Sequence, residues 1–110
     1  LVSFAIDGSI YLLKESGEII KLYLGKKQVF NQETVYPSFE KAKKILTERE
    51  MKNIYIFEPK NKRIVVFDKN GKLKKQIVLE NVSDLKDFSV DEKEKEIFIL
   101  DKLKIYKVEL

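Results

Sequence analysis

The sequence predicts an all-β fold made of three repeated units of antiparallel strands, and three observations carry that prediction. The first is the recurrence of one apolar pattern, Ile10-Tyr11-Leu12-Leu13, Ile54-Tyr55-Ile56-Phe57 and Ile97-Phe98-Ile99-Leu100, at spacings of 44 and 43 residues. The second is that each copy is followed by a polar turn and another apolar run: Glu18 to Leu24, Arg63 to Phe67 and Lys104 to Val108. The third is the placement of Asp7-Gly8 and Asn70-Gly71 between such runs, where tight hairpins are expected.

Taken in order, Val2, Phe4 and Ile6 alternate with smaller residues, the period of a half-buried strand, which ends at Asp7-Gly8. A type I′ hairpin there, with positive φ at both central residues, leads into the strand Ser9 to Leu13. Glu15-Ser16-Gly17 makes the next turn and Glu18 to Leu24 the third strand. Gly25-Lys26-Lys27 then turns the chain into a fourth strand, Gln28-Val29-Phe30.

The stretch from Asn31 to Pro37 is polar and reads as a connection between units. Ser38 to Glu50 is ambiguous by itself. Phe39, Ala42, Ile45 and Leu46 fall at helical spacing behind a potential Ser38 N-cap. The repeat instead aligns Ile45-Leu46-Thr47 with Phe88-Ser89-Val90, directly before an organising strand, and so favours a strand over Lys43 to Thr47. Local propensity is weak beside such context.

The second unit continues through Asn53 to Phe57, a turn at Glu58 to Lys62, Arg63 to Asp68, an Asn70-Gly71 hairpin and Leu73 to Leu79. The third has only three strands: Leu85 to Val90, Glu96 to Leu100 and Leu103 to Val108. One domain over residues 1–110 is expected, with units at about 1–32, 33–80 and 81–110.

Composition narrows the chemistry. With 44% apolar residues the chain is expected to bury a core. It has no Cys and no His, so disulfides, thiolate chemistry, His bases and His metal ligands are excluded. The net charge of +4 comes from 22 basic and 18 acidic residues. Only Arg49 and Arg63 carry a guanidinium, the group best suited to bidentate phosphate and base recognition, which disfavours nucleic acid as a partner. No apolar run approaches membrane-spanning length, so the chain as it stands is expected to be soluble. It starts at Leu1 in strand-like sequence, which suggests a fragment of a longer polypeptide; a targeting signal or anchor would then lie outside it, and the compartment is undetermined.

Four antiparallel strands per repeat of 40 to 45 residues is the signature of a β-propeller. The run Ile54 to Gly71 resembles the NHL-type repeat of six-bladed propellers through Asn61, Arg63, Ile64 and Gly71, and Ser83 to Asp91 resembles that family's lead-in to an inner strand. At the Asn-x-Arg-Ile place the first unit has Ser16-Gly17-Glu18-Ile19 and the third Lys102-Leu103-Lys104-Ile105. The resemblance implies half of a six-bladed propeller. It also implies that Asn61, Arg63 and Gly71 act in structural turns, the first two tying one blade to the next.

Three units are too few to close a ring. The expected function is therefore a non-catalytic interaction or oligomerisation module, completed by a second copy in a C2 dimer or by further blades, with a protein partner as the other candidate. Two alternatives stay open, both implied by the resemblance: part of a metal-dependent propeller hydrolase with its site in the assembled channel, and an RNA-binding propeller. No cofactor or metal set is identifiable, and the carboxylates Glu48, Glu50, Asp91, Glu92, Glu94 and Glu96 read as solvated faces. Tyr11, Tyr55 and Phe98 share one repeat position and are expected in the core between units. The candidate partner-surface residues are Tyr36, Lys60 and Lys102, all in loops.

Overall fold

The computed structural model describes residues 1–110 and contains three antiparallel sheets and no α-helix. Sheet 1 comprises β1 (Ser3–Ile6), β2 (Ile10–Leu13), β3 (Ile19–Tyr23) and β4 (Lys26–Lys27), in sequence order. Sheet 2 comprises β5 (Lys44–Leu46), β6 (Asn53–Glu58), β7 (Arg63–Asp68) and β8 (Leu73–Val78), with one 3₁₀ turn at Pro59–Asn61. Sheet 3 has only β9 (Leu85–Asp91), β10 (Glu96–Asp101) and β11 (Lys104–Glu109), leaving β11 as an edge with no further strand.

The sheets pack face to face in chain order. Tyr11, Leu13 and Ile19 of sheet 1 share one core with Ile45, Ile54, Ile56, Val65 and Phe67 of sheet 2. The opposite face of sheet 2, with Tyr55, Phe57, Ile64 and Val66, forms a second core with Phe88, Ile97 and Ile99 of sheet 3. Sheet 2 is thus apolar on both faces. This explains why its strands β6 and β7 are continuous apolar runs while β1 alternates.

The first strands of successive sheets adjoin. The Ile45 amide donates to Ser3 Oγ at 3.1 Å, and Lys44 Nζ meets Asp87 Oδ1 at 2.6 Å. Phe39, Ala42, Ile45 and Leu46 do not form a helix. Residues 38–43 hold no regular secondary structure, with a bend at Glu40, and β5 begins at Lys44. Ile45 and Leu46 pack into opposite cores, which adjacent residues achieve only on a strand.

Two expectations need correction. The fourth strand of sheet 1 is Lys26–Lys27, not Gln28 to Phe30. Leu24 and Gly25 both have positive φ, 51° and 76°, so a two-residue turn brings Lys26 directly opposite Tyr23. Val29 is left 85% exposed. The hairpin at Asp7-Gly8 is also not of the type I′ expected, nor is the tight hairpin at Asn70-Gly71 of that type, because in each only the glycine has positive φ. At the second, the Gly71 amide donates to the Asp68 carbonyl and the Asp68 amide to the Lys72 carbonyl, a three-residue connection that ends on a left-handed glycine.

Candidate interaction surface

Alternation along each strand decides which side chains the outer sheets leave uncovered. On sheet 1, cross-strand pairing aligns Phe4, Leu12 and Ile20 in one row and Ile6, Ile10 and Leu22 in the next. Both rows face away from sheet 2, and Phe4 and Ile6 are 64% and 56% exposed. On sheet 3, the outward rows are Ser89, Phe98 and Lys107, then Asp87, Leu100 and Ile105. A shallow concavity of about 210 Å³ lies over this face, lined by Phe98, Leu100 and Ile105 among others.

These two faces are the register equivalents of faces that the molecule covers internally. The outer rows of sheet 1 correspond to the sheet 2 rows containing Ile45, Ile56 and Val65, and Ile54 and Phe67, which sheet 1 covers. The outer rows of sheet 3 correspond to the sheet 2 rows Leu46, Tyr55 and Val66, and Lys44, Phe57 and Ile64, which sheet 3 covers.

A second surface lies where the first strands begin. Val2, Glu15, Lys41, Lys43, Lys60 and Asp84 help line an open groove of about 600 Å³. Lys60 is carried there by the 3₁₀ turn between β6 and β7. Lys102 sits in the β10–β11 turn with φ 55°, and its amide donates to the Asp84 carbonyl at 3.0 Å, so it borders the groove without lining it. Tyr36 does not join them. It is 77% exposed in the connection between sheets 1 and 2, and its carbonyl accepts from Gln76 Nε2 at 2.9 Å.

Asn61 and Arg63 converge on one buried carboxylate. Glu58 Oε1 accepts from Asn61 Nδ2 at 3.0 Å and from Arg63 Nε at 2.8 Å. Arg63 Nη2 lies 2.7 Å from the same oxygen, an ion-pair contact without hydrogen-bond alignment. Glu58 Oε2 accepts from the Glu40 and Lys41 amides at 2.6 and 2.8 Å. Burial alone would raise this carboxyl's pKa, but the donors from Asn61, Lys41, Arg63 and Glu40 together hold it below the usual 4.5.

The segment thus held reaches sheet 1. The Ala42 amide donates to the Glu15 carbonyl at 2.8 Å, Phe39 fills the space a Cβ on Gly17 would need, and the Arg63 guanidinium stands 5.0 Å from the Phe39 ring centroid. Gly71 makes the companion contact at the other end of the connection. A Cβ there would stand 2.6 Å from the Asn31 carbonyl oxygen, and the Gly71 carbonyl accepts from the Glu33 amide.

No protein-family model matches this chain, and no curated protein or solved structure is similar enough to count as a match.

Three carboxylates that organise this architecture escaped the sequence reading. Asp101, like Glu58, ends the second strand of its sheet and receives two backbone amides of the incoming connection, Ser83 and Asp84, the latter at 2.6 Å. An acidic residue at that repeat position in two units was the available signal; the first unit has Lys14 there. Glu92 is not simply a solvated face. It accepts from the Lys52 and Asn53 amides and from the Tyr55 hydroxyl at 2.7 Å, joining the β9–β10 turn to sheet 2. Tyr11 and Tyr55 are buried between sheets, whereas Phe98, at the same repeat position, faces outward on sheet 3. No group of three or more carboxylates is gathered at metal-holding spacing, and no helix is long and apolar enough to cross a membrane.

Proposed function

We propose that this chain is a non-catalytic interaction and oligomerisation module, half of a six-bladed propeller that is completed by self-association. The single observation that carries the reading is the pair of uncovered apolar faces on sheets 1 and 3. Phe4, Ile6, Ile10, Leu12, Ile20 and Leu22 on one side and Phe98, Leu100 and Ile105 on the other cluster into patches rather than standing singly. Contiguous patches of this kind drive association or mark binding surfaces. The contacts between first strands, Ser3 with Ile45 and Lys44 with Asp87, support a radial arrangement.

The alternatives, a metal-dependent hydrolase and an RNA-binding propeller, have no comparable observation in their favour. Arg63, one of only two arginines, is engaged with Glu58 in the interior.

Light scattering across micromolar concentrations tests the reading. The expected mass exceeds that of the 13.0 kDa monomer. A monomer at every concentration overturns it.

A further inference from the structure

We infer that the two uncovered faces cover each other head to tail: sheet 3 of one copy packs on sheet 1 of a second copy, and the reciprocal contact closes a two-copy ring. This rests on the self-association reading above and specifies its partner, contact and register.

The molecule makes this contact twice already. Between sheets 1 and 2, the rows Ala5, Tyr11, Lys21 and Ser3, Leu13, Ile19 meet the rows containing Ile45, Ile56, Val65 and Ile54, Phe67. Between sheets 2 and 3, the rows Leu46, Tyr55, Val66 and Lys44, Phe57, Ile64 meet Phe88, Ile99 and Ile97, Val108. Each sheet therefore has a leading face and a trailing face, and leading always meets trailing. The uncovered face of sheet 3 is a leading face and that of sheet 1 a trailing face. Two faces of the same kind have no precedent in the molecule, which argues against an isologous contact of sheet 1 with sheet 1.

The first strands set the register. Ser3, Lys44 and Asp87 occupy the same position in successive sheets, opposite Leu13, Phe57 and Leu100 respectively. Ser3 reaches the backbone of its neighbour, accepting from the Ile45 amide, and Lys44 reaches Asp87. The next step in this series places Asp87 of one copy beside Ser3 and Phe4 of the other. The Asp87 carboxylate accepts there from the Ser3 hydroxyl and from the Phe4 amide, the equivalent of the Ile45 amide.

Closure follows from counting. A head-to-tail contact generates either a ring or an open filament. One copy supplies three sheets, so two copies supply six and three copies nine. Rings of about four to eight blades are those that close with packed faces, which selects two copies.

The chain has no cysteine, so single cysteines report contacts without background. The probe is co-production of Ser3→Cys and Asp87→Cys chains, followed by mild oxidation or a short thiol–thiol cross-linker. The expected product is a covalent heterodimer from the mixture and little covalent dimer from either variant alone. A native dimer in which Ser3→Cys couples efficiently to itself, or in which the mixture fails to couple, overturns the head-to-tail contact while leaving self-association standing. A monomeric native chain overturns both. A mass ladder beyond two copies overturns ring closure.

Discussion

Glu58 and Arg63 face each other at the turn end of the β6–β7 hairpin, both shut off from solvent, with the arginine Nε 2.8 Å from the glutamate Oε1. The other glutamate oxygen holds the two backbone amides that steer the connection from sheet 1 into β5. The pair therefore joins a turn in one sheet to the path by which the chain enters that sheet.

Breaking that pair from one side is expected to be costly. Arg63→Leu leaves a buried carboxylate without its cation, a change that typically costs about 3–5 kcal/mol. Urea denaturation should show the loss as a lower midpoint with an unchanged slope. A cost under about 1 kcal/mol would mean that the backbone amides alone satisfy Glu58.

Acid stability should depend on the same carboxylate. Asp7 and Asp87 are likewise held low: burial would raise them, but donors from Lys69 and the Ser9 amide, and from Lys44 and the Phe88 amide, outweigh it. A carboxyl whose folded pKa lies below its unfolded value adds stability above the unfolded pKa and loses it as pH falls through the folded one. Stability should therefore change little from pH 7 to about 5 and fall below about 4. Glu58→Gln should flatten that fall in a urea series, even as it lowers stability at neutral pH.

The alkaline limb carries the opposite sign. The phenols of Tyr11 and Tyr55 are raised well above 10 by burial and by the neighbouring carboxylates Asp7 and Glu92. Above about pH 10 the unfolded chain releases these protons while the folded chain keeps them, so stability falls as pH rises. The double variant Tyr11→Phe, Tyr55→Phe should lose less stability between about pH 9.5 and 11 than the native chain. The lysines titrate in both and cancel in the comparison.

Gly71 and Gly25 both have positive φ, yet only Gly71 is approached by backbone, at the Asn31 carbonyl. Gly25→Ala should cost about 1–2 kcal/mol, the backbone penalty alone. Gly71→Ala should cost more, because the connection at Asn31 must also move. Equal losses in thermal or urea denaturation would mean that the connection at Asn31 yields to a Cβ at no cost.

The outer faces predict a matched pair of effects. Phe4→Glu on sheet 1 and Ile105→Glu on sheet 3 alter opposite halves of one contact and should each weaken self-association about tenfold or more, a change worth about 1.4 kcal/mol. Both side chains are exposed, so circular dichroism should be unchanged. Val29→Glu, on an exposed connection, should leave the mass unaffected.

Much of this architecture is legible in the chain. The repeat placed all three organising strands and the four, four and three strand counts, because apolar spacing reports burial directly. It also assigned β5 against a helical pattern, through the alignment with residues 88–90, and the structure adds that Ile45 and Leu46 lie in different cores. The turns were less legible. Whether a glycine pairs with a second positive-φ residue depends on strand register, and Leu24, an improbable residue for that role, takes it while Asp7 and Asn70 do not. The capping roles of Glu58, Asp101 and Glu92 were hidden because the groups they cap are backbone amides, which every residue but proline carries, whatever side-chain donors they also meet.

The residue order alone determined how many units there are and where most of their strands lie, the fourth strand of sheet 1 excepted. Only the tertiary structure decided which faces are covered, because alternation assigns side chains to two sides of a strand without saying what packs on either. Stacking the sheets in chain order buries both faces of sheet 2 and leaves one face each of sheets 1 and 3 with apolar rows and no partner within the chain.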